Sequence, residues 1–296
     1  MRTIADRYQI TSPIGRGGMG EVWNATDLRL NRPVAVKLVR VPEDDLERDV
    51  RRRFHREARI TARLRHPGVP VVYDFGQDDD LFIAMEALPG GSVAELLGEH
   101  GALSVPWATF IGTQVCAVLA AAHDAELLHR DVKPENLVLD PDGSVKVIDF
   151  GVATSTGDEF SKITQSGQIP GTAKYMAPEL ISGEDASRSS DLYTVGCLLY
   201  ELLTGHRPFA SENPVRELSR ITSEPAPPLE DVPAELAALT AALLSKDPHQ
   251  RPTDALTVYE GLRPWTGGLT PIPGWTTADL TRDPGHLYTK ALATLG

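Results

Sequence analysis

His129-Arg130-Asp131-Val132-Lys133-Pro134-Glu135-Asn136 puts an imidazole, two cations, two carboxylates and a carboxamide into eight consecutive residues. Asp149-Phe150-Gly151 follows, its aspartate 13 residues after Asn136, and Ala177-Pro178-Glu179 comes later. The apolar runs NLVL and VKVIDFG around the first two motifs read as short strands. Any one of the tripeptides is as easily a structural turn. Their order and spacing give them meaning together.

Upstream lies Gly15-Arg16-Gly17-Gly18-Met19-Gly20-Glu21-Val22, with glycines at G-x-G-x-x-G spacing. Glycine lets backbone bend close over phosphate and present N–H donors. A dinucleotide fold would follow these glycines with a helix. Here EVWNATD reads as a strand, which favours a β-hairpin lid over a nucleotide. Val34-Ala35-Val36-Lys37 is a second strand carrying one lysine, and Glu57 on the next charged, helical stretch can hold that lysine. Only seven of the 29 basic residues are lysines, so each lysine position is informative.

Phosphoryl transfer requires oxygen ligands for Mg²⁺, a carboxylate to orient the attacking hydroxyl, and cations on the phosphates. The five motifs supply each part. In these motifs the chain resembles the eukaryotic-type (Hanks-type) protein kinase family, and most of all its bacterial serine/threonine members, over roughly residues 8–262. The resemblance implies an α+β, bilobal fold. A small antiparallel sheet lobe with one helix (1–88) would precede a larger, mainly helical lobe (89–262), and 263–296 would be a tail.

The resemblance also implies roles. Gly15, Gly17 and Gly20 would cover the phosphates. Val22 and Ala35 would cap the adenine, with Val138 beneath it. Lys37 would bind the α/β-phosphates and pair with Glu57. Met85 would be the gatekeeper, and the backbones of Glu86 and Leu88 would meet the adenine edge. Asp131 would orient the hydroxyl, Lys133 would stabilise the transferring group, and Asn136 and Asp149 would bind Mg²⁺ or Mn²⁺. Thr172 would form the acceptor wall, Glu179 would pair with Arg251, and Asp191 would tie down the catalytic loop. Ser92 stands where many relatives place an acid against the ribose.

Lys133 at its place in the loop implies serine/threonine rather than tyrosine acceptors. Arg130 commonly awaits a phosphate in this family, and Thr164 and Ser166 are the candidate phosphosites for autophosphorylation. Arg53, one turn before Glu57, is a candidate second phosphate ligand. A pseudokinase would have lost Lys37, Asp131 or Asp149. A small-molecule phosphotransferase would usually lack the segment between Asp149-Phe150-Gly151 and Ala177-Pro178-Glu179.

Composition bounds the rest. A net charge of −12 argues against nucleic acid or anionic membrane as the main partner. The expected partners are ATP and proteins with Ser/Thr acceptors, with a homodimer possible by family analogy. Ala102–His123 is uncharged over 22 residues, but its polar content fits a buried central helix capped by Ser104 better than a membrane span. Cys116 and Cys197 sit in apolar helical runs and read as reduced core thiols, in keeping with a cytoplasmic location. Two tryptophans in the tail, Trp265 and Trp275, favour its docking on the domain.

Overall fold

A computed structural model describes residues 2–17, 20–39, 51, 54–55, 58–59, 61–150 and 174–276. The chain divides into two compact units, Met1–Arg65 with Val69–Pro89, and His66–Gly68 with Gly90–Gly296.

The first unit is an antiparallel sheet in the order β1-β2-β3-β4-β6-β5. Its strands are β1 (Thr3–Ile4), β2 (Tyr8–Gly17), β3 (Gly20–Asp27), β4 (Arg32–Val39), β5 (Val72–Gln77) and β6 (Leu81–Glu86). β1 is too short to show an alternation pattern, and no sequence signal announced it. Side chains alternate along a strand, so β4 divides its residues between two faces. Val34, Val36 and Leu38 join Ile4, Tyr8, Ile10, Ala25, Phe82 and Ala84 in one apolar cluster. Ala35 and Lys37 therefore occupy the opposite face. The turn after β3 is held by Asp27, which accepts two hydrogen bonds from Arg7 at 2.7 and 2.9 Å. It also accepts the backbone N–H groups of Arg29 and Leu30. The Arg7 guanidinium, ahead of those N–H groups, holds the Asp27 carboxyl down at about 2. Residues 51, 54–55, 58–59 and 61–63 are helical, and Phe54 and Ala58 bury one face at i,i+4 spacing.

The second unit is built on helices α1 (Val93–His100), α2 (Val105–Asp124), α3 (Pro178–Ile181), α4 (Arg188–Thr204), α5 (Pro214–Ser223), α6 (Ala234–Leu243) and α7 (Ala255–Leu262). A small sheet in the order β7-β8-β9 joins them, formed by Gly91–Ser92, Leu137–Leu139 and Val145–Val147. Among the described residues α2 is the one helix long and apolar enough to cross a membrane, yet 83% of that window is buried inside the unit. It is the core helix. Ser104 occupies its N-cap position as expected, but the hydroxyl makes no capping hydrogen bond; Pro106 occupies the first turn. α4 begins with Ser187 and Ser190 exchanging capping bonds and ends at Gly205 in a left-handed conformation (φ 75°).

Close helix approach sets the glycine positions in this core. A Cβ on Gly112 in α2 would meet Leu199 Cδ2 at 2.7 Å and Leu262 Cδ1 at 3.0 Å. One on Gly196 in α4 would lie 2.8 Å from Leu243 Cβ, an atom fixed to the α6 backbone. Gly196→Ala should therefore overpack the α4–α6 contact and lower stability by about 1–3 kcal/mol. Thermal unfolding of the variant checks this, and an unchanged midpoint would contradict the packing described.

Candidate active site

Register places one group of expected site residues on one face of the first sheet. Val22 lies opposite Lys37, and Lys37 opposite Ile83. Ala35 lies opposite Met85. Opposed residues of an antiparallel pair share a face, as do residues two apart on a strand. Val22, Ala35, Lys37 and Met85 thus project from the side opposite the apolar cluster, and Lys37 is only 5% exposed. Gly15 and Gly17 lie on β2, and Gly20 opens β3, paired with Gly17. Gly20 has φ 145°, and a Cβ there would fall 1.9 Å from the carbonyl oxygen of Leu38. Only glycine fits. Glu86 ends β6, and its N–H donates to Val71 O at 2.9 Å. Leu88 follows just beyond the strand.

The second unit gathers the polar octapeptide. Asp191, at the start of α4 and 1% exposed, is its anchor. Its carboxylate accepts the backbone N–H of His129 at 3.0 Å and of Arg130 at 2.8 Å, and the Nε2–H of His123 at 2.8 Å. These bonds hold Arg130 at φ 68°, a left-handed conformation that a residue with a Cβ rarely adopts. Asp149 is likewise left-handed, at φ 59°.

His129 fixes the next residue. Its Nε2–H donates to Ile148 O at 3.0 Å, because a carbonyl can only accept, and its Nδ1 then accepts the N–H of Asp131 at 3.3 Å. This arrangement requires the neutral imidazole, since a protonated Nδ1 would face another donor. Burial pushes the His129 pKa below its ordinary value, in agreement. The ring also packs on Phe150, with centroids 4.7 Å apart.

Asp131 then collects its partners. Lys133 Nζ donates to Asp131 Oδ2 at 2.7 Å, and Asn136 Nδ2 donates to the same oxygen at 2.9 Å and to the Asp131 carbonyl at 2.8 Å. The Asp131 and Lys133 side chains are each 14% exposed. With Nδ2 committed to Asp131, Asn136 Oδ1 is the hard oxygen donor that a cation could use. Asn136 sits in the 3₁₀ turn Pro134–Asn136 that runs into β8, and its carbonyl accepts Ile148 N–H at 2.9 Å, one residue before Asp149. An amide just before β8 and a carboxylate just after β9 are oxygen donors that would suit a hard divalent cation. They do not make an all-protein cage, and the described residues hold no group of three or more His, Cys, Asp or Glu able to bind a metal. Val138, at the centre of β8, pairs with Ser92 and Lys146.

Two expectations outside the octapeptide have a defined geometry. Arg251 grips Glu179 in a buried fork, with Nη1–Oε1 at 2.7 Å and Nη2–Oε2 at 2.8 Å. Ser92 is engaged as the N-cap of α1. Its hydroxyl donates to Glu95 Oε2 at 2.9 Å and accepts Glu95 N–H at 3.2 Å. The sequence signal was present as S-x-x-E, the capping box. The acid beside this corner is Glu95, three residues past the expected position. Glu57, Arg53, Thr164, Ser166 and Thr172 lie outside the described residues.

Comparison with known proteins agrees with the geometry. The protein kinase domain family matches residues 8–261, and the chain belongs to that family. It has the α+β protein-kinase fold, with a curled antiparallel sheet and a helical region. A probable serine/threonine-protein kinase of Corynebacterium efficiens is 43% identical over 235 residues, covering 77% of this chain and 35% of the relative. Serine/threonine-protein kinase PknA of Mycobacterium tuberculosis is 38% identical over 286 residues, covering 92% and 66%. Serine/threonine-protein kinase PknB of Mycolicibacterium smegmatis is 37% identical over 279 residues, covering 88% and 44%. The chain thus spans between about a third and two thirds of the length of these relatives.

Histidine burial gives this unit a pH dependence. His66, which accepts Gly68 N–H at 3.0 Å, is pushed down to about 4 by burial and, secondarily, by Lys146. His129 is pushed in the same direction. Between the ordinary histidine value near 6.5 and about 4, the unfolded chain binds protons that the folded chain refuses, so stability rises with pH across that window. Acidification from neutrality to pH ~4.5 should cost roughly 2 kcal/mol through His66 alone. Thermal midpoints measured across the window check it, and a flat profile would contradict it.

Proposed function

We propose that the chain is a serine/threonine protein kinase that moves the γ-phosphoryl group of ATP to protein hydroxyls. The observation that carries this reading is the convergence of Lys133 and Asn136 on one oxygen of Asp131. Both donors fall on Oδ2, which leaves Oδ1 to accept the proton of an incoming alcohol. Lys133, 2.7 Å from Asp131, is then placed to offset charge on the group in transfer. A divalent cation, bound by Asn136 Oδ1 and Asp149, would supply neutralising charge to the phosphates. Lys37 adds its ammonium to the same nucleotide's α/β-phosphates. Gly15, Gly17 and Gly20 cover those phosphates, and Val22, Ala35 and Val138 line the adenine. Met85 acts as gatekeeper. The backbones of Glu86 and Leu88 read the adenine edge.

Glu57 pairs with Lys37 in this reading, and Thr172 walls the acceptor site. Thr164 and Ser166 are sites of activating autophosphorylation, with exposed Arg130 as a phosphate ligand. A reducing, cytoplasmic setting is supported by the two free cysteines. Burial pushes both thiols up, Cys197 to about 12, so neither is poised for redox chemistry.

Asp131→Asn keeps the side chain's shape and removes the acceptor. Incubation with Mg²⁺ and labelled ATP should then show phosphate on Ser or Thr in the wild type and a loss of about 100-fold or more in the variant. Equal labelling of the two proteins would overturn the assigned mechanism.

A further inference from the structure

After α7 the described residues, through Thr276, stay on the second unit. The chain passes the 3₁₀ turn Arg263–Trp265 and lies back on that unit. Trp107 of α2 donates its Nε1–H to Thr270 O at 2.7 Å, and Ile272 is 8% exposed. A turn closes on Ile272, whose carbonyl accepts the N–H groups of Trp275 and Thr276 at 3.0 Å while its own N–H donates to Thr276 Oγ1 at 2.8 Å. This turn aims Trp275 at α1, where its Nε1–H donates to Glu99 Oε2 at 2.7 Å.

The Trp275 ring rests on Gly91. A Cβ on Gly91 would fall 2.8 and 2.9 Å from two carbons of that ring. Gly91 is not among the glycines with positive φ, so the backbone does not demand glycine there; the neighbouring indole does. Gly91–Ser92 is the edge strand of the small sheet, with Gly91 opposite Leu139 and Ser92 opposite Val138. The middle strand of that sheet starts one residue after Asn136, and its third strand ends two residues before Asp149. Trp275 thus presses on the outer strand of the sheet that delivers both candidate metal ligands. Edge strands of two residues have little pairing of their own to hold them.

We propose that Trp275 is a positioning residue for nucleotide binding, a brace supplied by the segment after α7 that keeps Gly91–Ser92 seated on β8 and so holds Val138 in place beneath the adenine. The proposal rests on the kinase reading above. Glu95 and Glu99, one turn apart on α1, tie the brace at both ends: Glu95 Oε2 holds Ser92, and Glu99 Oε2 holds the indole.

The test measures Mg-ADP affinity by titration calorimetry, together with KM for ATP and kcat. Trp275→Ala should raise the ADP dissociation constant and KM about three- to tenfold, with kcat within about twofold, because a ground-state brace acts on binding. Gly91→Ala, whose methyl displaces the ring, should reproduce the loss. The double variant should be no weaker than Trp275→Ala alone, since the methyl then meets no indole. Glu99→Gln should give a smaller shift in the same direction and keeps the question open to measurement if Trp275→Ala fails to fold. Unchanged ADP affinity in Trp275→Ala, or strictly additive losses in the double variant, would overturn the brace while leaving the kinase reading intact. A wild-type protein that binds no Mg-ADP would overturn both.

Discussion

Three N–H groups converge on the buried carboxylate of Asp191: the backbones of His129 and Arg130 and the ring of His123. Arg130 can hold its left-handed backbone because both neighbouring amides are fixed. His129 can bridge Ile148 and Asp131 because its own amide is pinned. Asp131 can present one carboxylate oxygen because Lys133 and Asn136 occupy the other. Each step depends on the one before it. The far end of the chain of contacts is a single ion, 1% exposed, at the N-terminal turn of a core helix. A negative charge at that end of a helix also suits the helix dipole.

Glycine plays a second organising part, through distance more than conformation. Gly112 and Gly196 let Leu199, Leu262 and Leu243 close the helical core, and Gly91 lets an indole lie on a strand. Gly20 does both, with a positive φ and a carbonyl oxygen 1.9 Å from where its Cβ would stand. In each case the neighbour lies far off in sequence. The same holds for Arg251 and Glu179, separated by 72 residues and joined by two short hydrogen bonds.

This difference in range explains what could be read in advance. The octapeptide, the strand with Lys37 and the glycine turn are local patterns, and their elements appeared with the expected types. β4 shows why period-2 reading worked: Val34, Val36 and Leu38 bury on one face and leave Lys37 on the other. β1 and β7, of two residues each, carry no period to detect. Ser92 looked like a ribose contact by position, yet the Glu95 three residues on engages it in a capping box. The expectation that tryptophans dock the tail was right for Trp275, but nothing local in the sequence pointed to Gly91 as its seat. His129 drew no role beforehand, because only the fold reveals that Ile148 O and Asp131 N–H flank its ring.

The Asp191 carboxylate sets the geometry of the His129–Asn136 loop. Asp191→Asn tests this most directly, because the amide must turn a donor toward N–H groups that need an acceptor. The measurement is kcat for phosphoryl transfer beside the circular dichroism melt of the same sample. The expected outcome is a folded protein whose kcat is lower by about 100-fold, as a displacement of ~1 Å at a reacting group can produce. A folded variant with kcat within about threefold of the wild type would contradict it.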